Sequence, residues 1–284
     1  MSNNYSKNSG ESKAPSAAGF SEPISFLEHL RFGGPWVLTA IVPDGRTITI
    51  SARTIAEINA FVHEHNGKLN LYYAVNPLRN LMWKKAAKAD VAAIEYLLAD
   101  LDPATGETSE AAKARYLEQL NGSFEPKPTA IVDSGNGIQC LWKLTNPIVL
   151  PEEEAVRKAI IADAEARTKA IMVRLGAKPG TQNIDRILRL PGTINLPNAK
   201  KRKEGRVECQ TKLISFNGAT YPLELFPQPE QSKPGSPEDG GQHARQEYRD
   251  EAHEGENKLE WTIRTGGSGF ETRSHAVWYV ICEM

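Results

Sequence analysis

The sequence predicts an α+β fold built on a largely antiparallel sheet flanked by helices, and three observations carry that prediction. Segments of strand composition and segments of helical periodicity are mixed, but not in the strict strand–helix alternation of a doubly wound parallel sheet. Two pairs of apolar runs are joined by short turn-forming stretches, PDGR at 43–46 and SGNG at 134–137, the arrangement of antiparallel hairpins. The chain has 284 residues, 40% of them hydrophobic, enough for one sizeable core and a second small unit.

Residues 1–24 are polar and predict a disordered tail ahead of a main domain at 25–226. WVLTAIV and TITISA flank Pro43, Asp44 and Gly45, so 36–52 is expected to be a hairpin. A helix follows: Thr54 with Glu57 has the spacing of a capping box, Ile55, Ile58 and Phe61 form an apolar face, and Asn66-Gly67 ends it. LNLYYAV at 69–75 is a strand, and after a polar stretch VAAIEYLLADLDP at 91–103 is a buried strand with Asp100 and Asp102 at its end. SEAAKARYLEQL at 109–120 is helical, TAIVD and IQCLWKL are the strands of the second hairpin, and 151–176 is a long helix. That helix is expected to have Pro151 in its first turn, acids beside its N-terminal dipole and Gly176 at its end. RILRL, RVECQTKLISF and YPLELF supply further strands. Residues 227–258, rich in Pro, Gly and charge, predict a flexible linker, and 259–284 predict the start of a truncated helical segment.

Composition narrows the chemistry. No apolar run is long enough to span a membrane and the N-terminus lacks the apolar segment of a secretory signal, so a soluble, cytoplasmic protein with no membrane partner is expected. Cys140, Cys209 and Cys282 are too far apart for a CxxC metal pair. All six histidines lie outside residues 66–242, so chemistry in the central segment falls to carboxylates. The net charge of −1 argues against a uniformly basic nucleic-acid coat. It leaves two local basic clusters: Lys84, Lys85 and Lys88, and Lys200, Lys201, Arg202, Lys203 and Arg206. Either suits DNA, and either suits a solvated face.

Three motifs carry chemistry. Asp100 and Asp102, two apart on a strand, point to one face, where their mutual repulsion calls for a proton or a divalent cation between them. A strand-end turn in which Asp102 caps the segment after Pro103 is the plainer alternative. The SGNG turn, with Gly135 and Gly137, offers backbone N–H groups to phosphate, although such turns also join ordinary hairpins. NIDRILRLPGTIN places Asp185 at the entry of a strand with Arg186 and Arg189 behind it; arginine forks suit phosphates, and also strand-edge salt bridges. Taken in order, three carboxylates with arginines and turn amides make an apparatus for metal-assisted nucleotidyl transfer.

In these motifs the sequence resembles the archaeo-eukaryotic primase superfamily, and within it the RepB-like plasmid and phage primases and primase-polymerases. The resemblance covers roughly residues 25–225: LLADLD is similar to the family's first motif, SGNGIQ to its second and IDRILRLPGTIN to its third, with NLYYAVNP, KKAAKADV and AKKRK similar to phage-borne members. It implies a primase-polymerase catalytic fold with an RRM-like sheet. It further implies Asp100, Asp102 and Asp185 as ligands of two Mg²⁺ or Mn²⁺ ions and as the catalytic carboxylates. Ser134, Gly135, Asn136, Gly137 and Gln139 would hold the nucleotide, with Arg186 or Arg189 on its phosphates. Lys84, Lys85, Lys88, Lys200, Lys201 and Arg202 would hold DNA. The partners expected are nucleoside triphosphates, a single-stranded DNA template, and a helicase or other replication protein in cis or in trans.

Gln139 departs from the family, many members of which have His there, facing the triphosphate. An amide donates a hydrogen bond worth on the order of 1 kcal/mol against about 1.5–3 for a charged donor, so weaker nucleotide binding is expected from it. Two alternatives stand beside primer synthesis: a catalytically weak single-stranded-DNA-binding replication initiator, and a metal-dependent nuclease using the same carboxylates.

Overall fold

The computed structural model describes residues 21–42, 46–203 and 205–226. The turn residues of the first hairpin, the expected linker and the C-terminal segment lie outside the described residues. The fold is α+β with two main sheets, and every strand pairing in them but one is antiparallel.

The first described element is helix α1 (Glu22–Leu30), whose first three residues lie in the stretch expected to be tail. Its signals are Pro23 in the first turn and Ile24, Leu27 and Leu30 at threefold spacing, all buried. Strands β1 (Trp36–Ile41) and β2 (Thr47–Ala52) form the expected hairpin, with Trp36 opposite Ala52. Helix α2 (Ile55–His65) starts at the reciprocal Thr54–Glu57 capping box that the sequence announces. Strand β3 (Asn70–Ala74) then pairs with β1.

Strand β4 (Ala93–Leu101), helix α3 (Ser109–Asn121), strands β5 (Ala130–Asp133) and β6 (Ile138–Val149), and helix α4 (Glu154–Arg174) come next. Helix α4 starts at Glu154, so Pro151 belongs to the approach and not to the first turn. Strand β6 runs five residues beyond the expected 138–144. Strands β7 (Ile187–Arg189) and β8 (Ile194–Asn195), helix α5 (Ala199–Lys203), and strands β9 (Cys209–Gln210), β10 (Lys212–Phe216) and β11 (Thr220–Tyr221) complete the chain of elements. The basic cluster AKKRK is thus a short helix, and RVECQTKLISF is broken at Thr211. Of YPLELF only Tyr221 is strand; Leu223–Leu225 is a single 3-10 turn, because Pro222 cannot donate to a ladder.

The first sheet has the order β2-β1-β3-β7. In the second, β6 is the hub: β4 lies along one edge, β5 and then β11 along the other, and β10 lies outside β5. The period of two sorts side chains to opposite faces. Leu97, Ala99 and Leu101 join Cys140, Trp142 and Leu144 in a core roofed by α3 and α4. Tyr96 and Leu98 join Ala130, Val132 and Leu141 on the other face, packed with Leu38, Leu71, Tyr73 and Leu188 of the first sheet and with α1. Phe26 and Leu27 of α1 are fully buried there, each contributing on the order of 1.5–3 kcal/mol. Asp100 and Gln139 follow the same alternation, so they stand on the face that meets the first sheet.

Candidate active site

Asp100 is the penultimate residue of β4, directly across the ladder from Gln139 on β6. The Gln139 side chain joins the two sheets: Nε2 donates to Asp100 Oδ1 at 3.1 Å, and Oε1 accepts from the backbone N–H of Arg189 on β7 at 3.1 Å. Both ends of the amide are taken. Gln139, expected from the sequence to face a triphosphate, is buried here as a brace between Asp100 and β7.

The other Asp100 oxygen accepts from Arg186 Nη2 at 2.8 Å. Arg186 is brought there by the segment before β7. Asn76 accepts from the N–H groups of Glu95 and Tyr96, where β4 bulges, and donates to the Ile184 carbonyl, while Val75 N–H donates to the Arg186 carbonyl. The fit is incomplete, since the buried Arg186 Nε–H has no partner among the described residues.

Asp102 lies one residue past β4, solvent-exposed on one side and packed on the other, with its backbone carbonyl accepting from Tyr116 Oη at 3.1 Å. Packing, and then the negative charge of Asp100, raises its carboxyl above the ordinary range. Lys201, Arg206 and Arg186 oppose the rise. No donor is hydrogen-bonded to that carboxylate among the described residues. Asp100 and Asp102 line one cavity of about 550 Å³ with Pro103–Thr105, Tyr116 and the α4–β7 loop 176–181.

Asp185 stands apart: its Oδ1 accepts from Asn183 Nδ2 at 2.6 Å, and it does not line that cavity. Among the described residues no group of three or more His, Cys, Asp or Glu side chains is arranged to hold a metal ion. The expected three-carboxylate cluster is thus not formed, and Arg186 supplies positive charge where a cation was expected. The Asp100–Asp102 pair still fits one hard divalent ion: the donors are all oxygen, Asp102 is free to ligate, and the charge of Asp100 is balanced by a displaceable side chain.

The SGNG turn is closed on itself. Ser134 N–H donates to the Gly137 carbonyl, Gly137 N–H to Ser134 Oγ, and Gly135 N–H to Asp133 Oδ1, whose other oxygen takes Lys113 Nζ at 3.1 Å. Three of the amides expected to cradle phosphate already have partners, and Ser134 and Asn136 are buried. The glycines serve packing: a Cβ at Gly135, where φ is +94°, would overlap Cys209 Sγ, and one at Gly137 would overlap the Leu101 carbonyl oxygen.

Arg189 is buried with Nη1 on Asn70 Oδ1 at 2.6 Å, Nη2 on Tyr72 Oη at 2.8 Å and its guanidinium 4.7 Å from the Tyr72 ring centroid. Burial lowers its pKa, opposed by Tyr72, Cys209, Asp100 and Asp102. Lys200, Lys201 and Arg202 are exposed on α5, and Lys201 is near enough to Asp102 to act on its charge. Lys84 and Lys85 are exposed and unpaired among the described residues, whereas Lys88 is paired with Glu165 of α4 at 2.7 Å. The loop at 176–181, with Lys178 and Thr181 on the cavity wall, is a part of the candidate site that sequence reasoning missed; its Gly176 signalled only the end of a helix.

No protein-family model matches the sequence, and no curated protein matches it. Among solved structures the chain is similar to the primase-polymerase domain of cyanophage S-2L, with 16% identity, a TM-score of 0.48, and coverage of 72% of this chain and 94% of that one. It is also similar to the primase RepB′, with 13% identity, a TM-score of 0.46, and coverage of 80% and 64%. The catalytic domain of that primase in complex with initiator DNA gives 13% identity, a TM-score of 0.44, and coverage of 81% and 99%.

Proposed function

We propose that the chain is a primase-type nucleotidyltransferase that makes short primers from nucleoside triphosphates on single-stranded DNA, in plasmid or phage replication and alongside a helicase or other replication protein. The observation that supports this best is the Asp100–Asp102 pair at the mouth of the 550 Å³ cavity, with Arg186 on Asp100 and further cations beside Asp102. A cavity of that size suits a nucleotide. The motif resemblance supplies the reaction class.

Asp100 and Asp102 would hold Mg²⁺ or Mn²⁺, which when bound would acidify the primer 3′-hydroxyl and neutralise the leaving pyrophosphate. The protein's own groups do the rest. Gln139 keeps Asp100 facing the cavity, so its carboxylate needs no reorientation. Arg186 leaves Asp100 and turns its fork to the phosphates, and Lys201 and Arg206 keep the surroundings of Asp102 positive for an anionic substrate. Tyr116 fixes the backbone at Asp102, and the 176–181 loop closes the far wall of the cavity.

The test is primer synthesis by the full chain on unprimed single-stranded DNA with labelled ribo- or deoxyribonucleotides and Mg²⁺ or Mn²⁺. Product is expected, and Asp100→Ala or Asp102→Ala is expected to remove it. No product from the unaltered chain would overturn the reading, and degradation of labelled DNA without nucleotides would replace it with a nuclease. A second reading, a weakly catalytic DNA-binding initiator, is favoured by the missing third carboxylate and the closed SGNG turn. It requires DNA affinity that survives Asp100→Ala together with no metal-dependent nucleotide binding.

A further inference from the structure

The segment between β3 and β4 crosses the face of the first sheet opposite the α1 core. Met82 and Ala86 are its anchors, buried with Val37 and Ala74 and packed against the half-buried Ile187. Its backbone is clamped at Met82, whose N–H donates to Ser51 Oγ at 2.6 Å while Ser51 Oγ–H donates back to the Met82 carbonyl at 3.3 Å. Between those anchors Trp83, Lys84 and Lys85 are held outward, and Trp83 is 72% exposed. An indole held in water by an ordered backbone forgoes the burial that would stabilise it, which marks a surface built for contact.

Two cavities share Ser51 and Leu81. One, of about 500 Å³, has Trp83 on its wall, Ile48, Ile50 and Phe61 among its apolar lining, and Arg53 at its edge. The other, of about 310 Å³, runs to Arg31 and Pro35, which flank Phe32, 89% exposed. Glu57 and Glu64 also line the larger cavity. Glu57 is already engaged, accepting from Arg53 N–H, Thr54 N–H and Thr54 Oγ–H at the start of α2. Lys84 and Lys85 have no ion-pair partner among the described residues.

We propose that this surface binds single-stranded nucleic acid, with an unpaired base stacked on Trp83 and backbone phosphates on Lys84 and Lys85. Charge complementarity commits the site to a polyanion, and the exposed indole commits it to one that presents flat π faces; unpaired bases do both. The assignment deepens the primase reading by placing the template strand, and it rests on that reading only for the identity of the strand as template. Ala74 and Ile187, which carry the Trp83 segment, stand two residues along β3 and β7 from Tyr72 and Arg189, on the same face of the same sheet. Trp83 itself stands at the β2 edge of that sheet, beside Ile48 and Ile50, about three strand spacings, or roughly 14 Å, from β7 and Arg189.

The test is fluorescence anisotropy of a labelled oligo-dT with the full chain, over a range of salt. Trp83→Ala is expected to weaken binding about 10-fold, within the roughly 5- to 150-fold range that loss of one stacked base gives. Trp83→Phe is expected to keep most of the affinity, and Lys84→Ala with Lys85→Ala to flatten the salt slope by about 1.4. Heparin, a polyanion without bases, is the control, and its affinity is expected to be unchanged by Trp83→Ala. Unaltered oligo-dT binding in Trp83→Ala, or equal losses for heparin and oligo-dT, would overturn the proposal. Metal-dependent nucleotide binding by Asp100→Asn tests the catalytic reading separately: a variant that keeps that binding sinks the primase assignment while leaving the Trp83 surface standing or falling on the oligo-dT result.

Discussion

Arg186 and Gln139 hold the two oxygens of Asp100 in opposite ways. The arginine is a half-buried fork with one N–H unsatisfied, while the amide is buried with both ends bonded. The first contact is therefore exchangeable and the second structural. Arg186→Gln is expected to tighten Mn²⁺ binding in the absence of nucleotide by several-fold, read by calorimetry or by the Mn²⁺ electron-spin signal, while weakening nucleotide binding. Unchanged Mn²⁺ affinity would show that Arg186 does not compete for Asp100. Gln139→Ala leaves an N–H and a carboxylate oxygen without their partner and is expected to cost about 1–3 kcal/mol. In a domain of this size that lowers Tm by roughly 2–4 °C per kcal/mol, measurable by calorimetry without any substrate. The sequence marked Gln139 as the odd polar residue of its strand. Its role was hidden because its second partner is 50 residues away, on a strand of the other sheet.

At the scale of elements, the SGNG turn shows what local pattern conveys and what it withholds. Two glycines with a serine announce a tight turn, and the turn is there. Whether its amides face outward depends on Asp133, Lys113 and Asn195, and the sequence between them says nothing of their meeting. Gly137→Ala is expected to destabilise the protein by about 1–3 kcal/mol and to lower activity, because the added methyl would push on the Leu101 carbonyl and shift Asp102. Unaltered stability with normal activity would mean that β4 ends more softly than its packing indicates. Helix α2 was legible to the residue through its capping box. Helix α1 was missed although Pro23, Ile24, Leu27 and Leu30 spelled it, because the polar tail ahead of it masked the change of pattern.

For the whole molecule, the fold class was legible because hairpin turns and period-two burial are local signals, and local signals suffice to separate α+β from doubly wound α/β. The site was legible only in half. Asp100 and Asp102 stand two residues apart at the end of β4, so their nearness follows from backbone geometry alone. The place of Asp185 depends on how the segment before β7 docks against β3 and β4, and there Arg186, not Asp185, reaches Asp100. Among the described residues no helix is long and apolar enough to cross a membrane. Asp100 sits where Gln139 joins the two sheets, so the stability of that seam and the positioning of Asp100 are one property. Variants that loosen the seam are expected to lose activity before they lose secondary structure, which parallel melts by circular dichroism and by activity would separate.

Strand β11 carries a consequence for synthesis of the chain. It is the last strand described, it lies parallel to β6 at Lys143 and Leu144, and just beyond it Phe226 reaches the core beside Trp142 while Tyr221 Oη donates to the Lys127 carbonyl. A ribosome has finished α1 through α4 long before these residues emerge. Until they do, the Trp142 side of the sheet has an open seam, and the growing polypeptide exposes apolar surface to chaperones and to its neighbours on the polysome. The final seven residues of the described chain act as a latch that only a completed translation of the domain can close.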